Sequence, residues 1–312
     1  MNQLKDFQLT LFSGLSAFPL TPTDQEGRLK PDVLESHLER IVSANPASIG
    51  LLGSTGSYAY LTVEERKRTV RVAAQALQGR TPLIVGVGAL RTDEAADLAR
   101  DAAKAGAQGL LLAPISYQKL TDEEVYRHFE TLAAAGGLPF CIYNNPGTTN
   151  FTFGHALIAR LSRLPNIEAI KMPLPGDGDF AGELSAIRSV APDSFSVGYS
   201  GDWGAKDALL AGADAWFSVV AGLLPDAAAR LTRAAMAGDV QEASRLDQAF
   251  DPLWRLFKEF GSFRVMYAIA DHLDGNGIEP LRPVQPLALK ACERVQAALA
   301  ALEAAMVPLH RA

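Results

Sequence analysis

One alternation repeats eight times along this chain. Short apolar runs at 15–20, 48–52, 83–87, 109–113, 140–143, 167–171, 195–199 and 215–218 are each followed by a longer stretch of helical spacing. The runs are continuously apolar rather than half polar, as strands are when both of their faces are covered. The stretches between them carry helix signatures. Thr62-Val-Glu-Glu65 reads as a capping box, followed by a stripe of Val70, Ala73, Ala74 and Leu77. The same stripe recurs in Ala95, Leu98, Ala99 and Ala102, and Thr121-Asp-Glu-Glu124 marks another helix start. Eight strand–helix units predict an α/β fold, a closed (β/α)8 TIM barrel over residues 1–222. Beyond Gly222 the segments 224–237, 240–257, 263–273 and 287–306 read as helices with no strand between them. They predict a C-terminal helical appendage, 223–312, packed on the barrel. Its Ala-rich last helix suits either a core or a subunit contact.

Composition narrows the partners. The 312 residues are 48% hydrophobic and 21% charged, with a net charge of −6 and no basic block. Neither nucleic acid nor an anionic membrane is expected to bind such a surface. No apolar run approaches the length of a membrane span, and Met1-Asn-Gln-Leu-Lys-Asp-Phe7 lacks the apolar core of a signal peptide. Cys141 and Cys292 stand far apart and outside any metal-ligand spacing, which fits free thiols in a reducing compartment. A cytoplasmic protein is expected.

In such a barrel the chemistry sits at the C-terminal ends of the strands. Those ends supply Thr21, the loop at 53–57, Gly88, Pro114 with Ser116 and Tyr117, Tyr143 with Asn144, Lys171, Tyr199 and Ser218. Carboxylates are scarce there and histidine is missing, so no metal site is expected. His37, His128, His155, His272 and His310 fall elsewhere and read as structural or solvated. A serine triad has no base beside a nucleophile. Gly86-Val-Gly88 lacks the third glycine of a dinucleotide loop, and Gly53-Ser54-Thr55-Gly56-Ser57 lacks the lysine of a P-loop.

What remains is an amine, a phenol and a hydroxyl-rich loop. Burial penalises the charged form of an amine, and a neutral amine adds to a ketone to give a Schiff base. Gly53 and Gly56 free the loop backbone to point N–H groups into one concavity, where the Ser54 and Thr55 hydroxyls complete a carboxylate cradle. Taken singly, these are also a capped strand end, a half-buried tyrosine and a tight turn. Together, on strands two, five and six facing one another across the mouth, they suit a 2-oxo acid such as pyruvate. The loop would grip the carboxylate, Lys171 would condense with the ketone and Tyr143 would move protons. The only prosthetic chemistry needed is the covalent lysine adduct.

With these residues in place, the chain resembles the dihydrodipicolinate synthase / N-acetylneuraminate lyase family over roughly residues 11 to 300. The likeness rests on Gly14-Leu-Ser-Ala-Phe-Pro-Leu-Thr-Pro22, Gly53-Ser-Thr-Gly56, Tyr143-Asn-Asn-Pro146, Ile170-Lys171 and Gly201-Asp202. It implies that Lys171 is the Schiff-base lysine and Tyr143 the proton relay. It implies that Ser54 and Thr55 bind the 2-oxo acid carboxylate, that Phe217 lines the pocket through its backbone, and that the protein is a homotetramer without metal or organic cofactor. Four positions depart from the family pattern. Ser57 stands where an acid is usual, and Thr148 where the synthase has an arginine for its aldehyde's carboxylate. Ile115-Ser116-Tyr117 replaces a tyrosine pair, leaving only Tyr117 as a catalytic candidate. Met172 follows the lysine in place of an acid. Losing the arginine contact would weaken carboxylate recognition by roughly 1.5–3 kcal/mol. The departures cluster on the second-substrate side, so a lyase or aldolase with a less acidic electrophile is expected. The lysine-biosynthetic synthase, a 2-oxo-deoxy sugar acid dehydratase and a silent acid-binding barrel remain as alternatives.

Overall fold

The computed structural model describes residues 11–306. The expectations for the N-terminal segment and for His310 lie outside these residues. The eight strands are β1 Gly14–Ala17, β2 Ser48–Leu51, β3 Leu83–Gly86, β4 Gly109–Leu112, β5 Phe140–Tyr143, β6 Ile167–Met172, β7 Ser196–Tyr199 and β8 Ala215–Ser218. They close in sequence order into one parallel barrel, with Gly14 in register with Ala215 where β1 meets β8. Nearly every strand residue is buried, because helices cover the outer face and side chains fill the inner one.

The helices α1 (Pro31–Ser43), α2 (Val63–Leu77), α3 (Thr92–Ala105) and α4 (Asp122–Gly136) follow the first four strands. After β5 come a single turn, α5 (Pro146–Thr149), and then α6 (His155–Leu161); α7 (Phe180–Arg188) and α8 (Ala205–Leu210) continue the ring. The sequence signals act where they stand. Thr62 Oγ1 accepts from Glu65 N–H at 3.2 Å, and at α4 the capping box closes in both directions between Thr121 and Glu124. Ala95, Leu98, Ala99 and Ala102 are the buried face of α3.

The helix after β8, α9 (Pro225–Met236), packs on β1, α1 and α8 and completes the outer ring. The stretch expected as an appendage from residue 223 thus opens with a helix that packs on the barrel, and α10 (Val240–Phe260) follows it. Absence of a further strand did mark Gly222, but the eighth unit still needed its helix. The α11 helix (Ser262–Asp274) and α12 (Leu289–Met306) pack with α10. Among the described residues no helix is long and apolar enough to cross a membrane.

Two histidines serve the framework. His37 Nε2 lies 3.0 Å from Asp274 Oδ2, joining α1 to α11, and His128 Nδ1 lies 2.9 Å from Thr92 Oγ1, joining α4 to α3. The barrel interior is a separate apolar cluster in which Phe12, Phe18 and Phe217 alternate with Ala169 and Ala215. Glycines make room for these rings. A Cβ at Gly50 would lie 2.2 Å from the Phe18 ring, and one at Gly198 would lie 2.6 Å from Phe217.

Candidate active site

Lys171 lies one residue from the end of β6 and Tyr143 ends β5, and the two are paired in register. They are therefore side by side on neighbouring strands, with β2 opposite, rather than facing each other across the mouth. Lys171 is only 2% exposed. Its Nζ lies 3.9 Å from the centroid of the Phe18 ring, 4.3 Å from that of Tyr143 and 5.7 Å from that of Phe217. Phe217 thus turns its ring toward the amine as well. Phe18 was missed altogether in the sequence, where it reads as one more apolar residue at the end of the first run.

The phenol is held from two sides. Tyr143 OH lies 3.2 Å from Ser54 Oγ and accepts from Asn145 Nδ2 at 3.0 Å. The loop at 53–57 thus reaches the phenol through Ser54, with Thr55 buried beside it. Turning and close approach fall to different residues of this loop. The left-handed positions are Leu52 (φ 57°) and Ser57 (φ 58°), whereas Gly53 and Gly56 allow close approach. A Cβ on Gly53 would sit 2.7 Å from the Phe18 ring, and one on Gly56 2.9 Å from the Leu52 backbone. Ser57, in place of the expected acid, is buried with its Oγ 3.3 Å from Tyr267 OH, so α11 supports this loop directly.

Two buried charged groups brace the mouth. Asp202 is 1% exposed. One of its oxygens accepts from Trp216 Nε1 (2.9 Å) and Val219 N–H (3.1 Å), the other from Val220 N–H (2.7 Å), which fixes the end of β8. Burial raises its carboxyl to about 6, against those hydrogen bonds and the charge of Lys171. Arg66 donates to Gly88 O (2.9 Å) and Gly86 O (3.0 Å) and lies over the Tyr58 ring. Burial lowers its guanidinium to about 10. The Gly86-Val-Gly88 pattern is thus an acceptor for an arginine. Cys141, buried in the barrel interior, has its thiol pushed up by desolvation.

Tyr117 does not join this cluster. Its side chain is 90% exposed, on the loop after β4. The space beside Tyr143, walled by Leu52, Tyr58 and Leu111, is about 10 Å³. That volume fits one water. A cavity of about 910 Å³ lies at the opposite end of the barrel, lined by Gly14, Asn45, Pro82 and Gln108. It is remote from this chemistry, on the face that contributes to stability in such barrels. Among the described residues no group of three or more His, Cys, Asp or Glu could hold a metal ion.

A parallel eight-stranded barrel with a buried lysine and a hydrogen-bonded phenol at its strand ends defines a class of barrel enzyme organised around an amine. The comparisons narrow it. A model of the dihydrodipicolinate synthetase family matches residues 11–302, and the chain belongs to that family. It is an enzyme, a lyase of this family. It is 35% identical over 271 residues to the 4-hydroxy-tetrahydrodipicolinate synthase of Stutzerimonas stutzeri strain A1501, covering 86% of this chain and 91% of that one. Likeness to the same enzyme from Pseudomonas aeruginosa is 35% over 261 residues, covering 83% and 88%. Among solved structures, dihydrodipicolinate synthase from Agrobacterium tumefaciens strain C58 superposes with a TM-score of 0.93 at 56% identity, covering 94% of this chain and 99% of that one.

Proposed function

We propose that the protein is a class I lyase or aldolase in which Lys171 forms a Schiff base with pyruvate or a pyruvate-derived 2-oxo acid. One observation carries the reading: a lysine amine removed from solvent, with its ring neighbours within 6 Å and a phenol paired to it in register. The free amine adds to C2 of the ketone, and a proton passes from nitrogen to oxygen to give the carbinolamine. Tyr143 then protonates the hydroxyl, which leaves as water, and the cationic imine and a phenolate remain. Ser54 and Asn145 hold the phenol oxygen through this step. Ser54, Thr55 and the loop N–H groups receive the substrate carboxylate.

The second substrate differs from that of the synthase in this reading. Thr148 sits exposed on α5 with its hydroxyl directed to Asn145 O at 3.4 Å, and it brings no positive charge to the position where the resemblance expects arginine. The names of the relatives favour the other reading, condensation of pyruvate with aspartate semialdehyde. Brisk turnover of that pair would displace ours. A homotetramer acting on a small 2-oxo acid in the cytoplasm completes the proposal. Both cysteines are free, and Leu90 and Tyr117 leave apolar surface that a subunit contact would cover. The mass in solution by light scattering checks the assembly.

The decisive experiment is incubation with pyruvate and borohydride, followed by intact mass. The expected result is one reduced adduct on the wild type and none on Lys171→Ala. No wild-type adduct, or an undiminished adduct on the variant, defeats the mechanism.

A further inference from the structure

The anions beside the Schiff base in this reading are the substrate's own carboxylate and the Tyr143 phenolate, and no carboxylate side chain of the described residues is ion-paired with Lys171. Among the described residues Nζ makes no ion pair, and the rings of Phe18, Tyr143 and Phe217 lie around it. Asp202, a buried carboxyl whose charged form Lys171 favours, has both oxygens occupied by Trp216, Val219 and Val220. The ring nearest the amine is that of Phe18, set edge to face with Phe217 at 6.1 Å between centroids. Its place is prepared by Gly50 and Gly53, neither of which could carry a Cβ without striking it.

We propose that Phe18 is a catalytic residue whose π face, assisted by Phe217, stabilises the cationic Schiff base of Lys171. The inference rests on the Schiff-base reading and adds to it. An aromatic face attracts a cation and offers no hydrogen-bond acceptor. An ammonium in this cage leaves three N–H groups to satisfy, whereas a protonated imine leaves one and spreads its charge onto carbon. The cage therefore favours a protonated imine over an ammonium in the same place, which is the differential binding that catalysis requires.

The test replaces Phe18 by phenylalanines with one, two and three ring fluorines, which drain π density at nearly constant shape, and separately by Leu. The readout is the pyruvate concentration giving half-maximal borohydride-trapped adduct. A graded rise across the fluorinated series, and a rise of about tenfold for Phe18→Leu, is expected. A flat series on a protein whose wild type traps pyruvate normally overturns the role of Phe18 and leaves the Schiff base standing. Absence of adduct on the wild type overturns both. A merely structural ring would not respond in steps to fluorine.

Discussion

Lys171 and Tyr143 are held together by a strand pair, not by loops, so their separation is set by backbone hydrogen bonds. Tyr143→Phe keeps the ring beside the amine and removes the hydroxyl bound to Ser54 and Asn145. It is expected to slow exchange of pyruvate methyl hydrogens in D2O by about 10²- to 10⁴-fold, followed by NMR. Its urea midpoint should change little, since a net hydrogen bond contributes only about 1 kcal/mol. An unchanged exchange rate would remove Tyr143 from the mechanism. Counting strand ends was enough to find these two residues and the 53–57 loop, because barrel chemistry is tied to those positions. Phe18 escaped because its meaning lies in glycines on the next strand, which the linear sequence presents as turn formers. Tyr117 stands apart from Lys171 and Tyr143 on the surface of the single chain, and a loop's position in the sequence says nothing of where its side chain points.

Elements were legible where the local signal and the tertiary demand agreed. The cap at Thr121 is such a case, and Thr121→Ala should cost about 1 kcal/mol in urea unfolding. Gly53 is the opposite case. It looks like a residue chosen for backbone freedom, yet its φ is not left-handed and its constraint is the Phe18 ring. Gly53→Ala should therefore destabilise by about 1–3 kcal/mol through overpacking, and pairing it with Phe18→Leu should recover part of the loss. An Ala at 53 that costs nothing in urea unfolding would disprove this account. The helix α9 is recognisable as a helix in the sequence, but its place in the barrel's outer ring is not. Only its packing on β1 and α1 tells a barrel helix from an appended one, and that packing joins the two ends of the sequence.

For the molecule as a whole, two buried groups oppose each other in acid. Asp202 is raised from 3.8 to about 6 by burial, so its folded form binds a proton that the unfolded form has lost. Its contribution is complete below 3.8 and disappears as pH rises through 6, an effect of about 3 kcal/mol. His128 is lowered from 6.5 to about 4 by burial, so its contribution is complete above 6.5 and disappears as pH falls through 4. Across pH 4–6 the two largely offset. Asp202→Asn should make stability fall more steeply between pH 6.5 and 4 than in the wild type, as measured by urea midpoints; parallel curves would refute the assignment. The seam between β1 and β8 carries a different consequence. During translation the first strand leaves the ribosome long before its last neighbour exists, and the sheet must wait as an open ribbon with bare edges. Newly made protein truncated before Ala215 should accordingly depend on chaperones, while the completed chain, once its ends meet, should not.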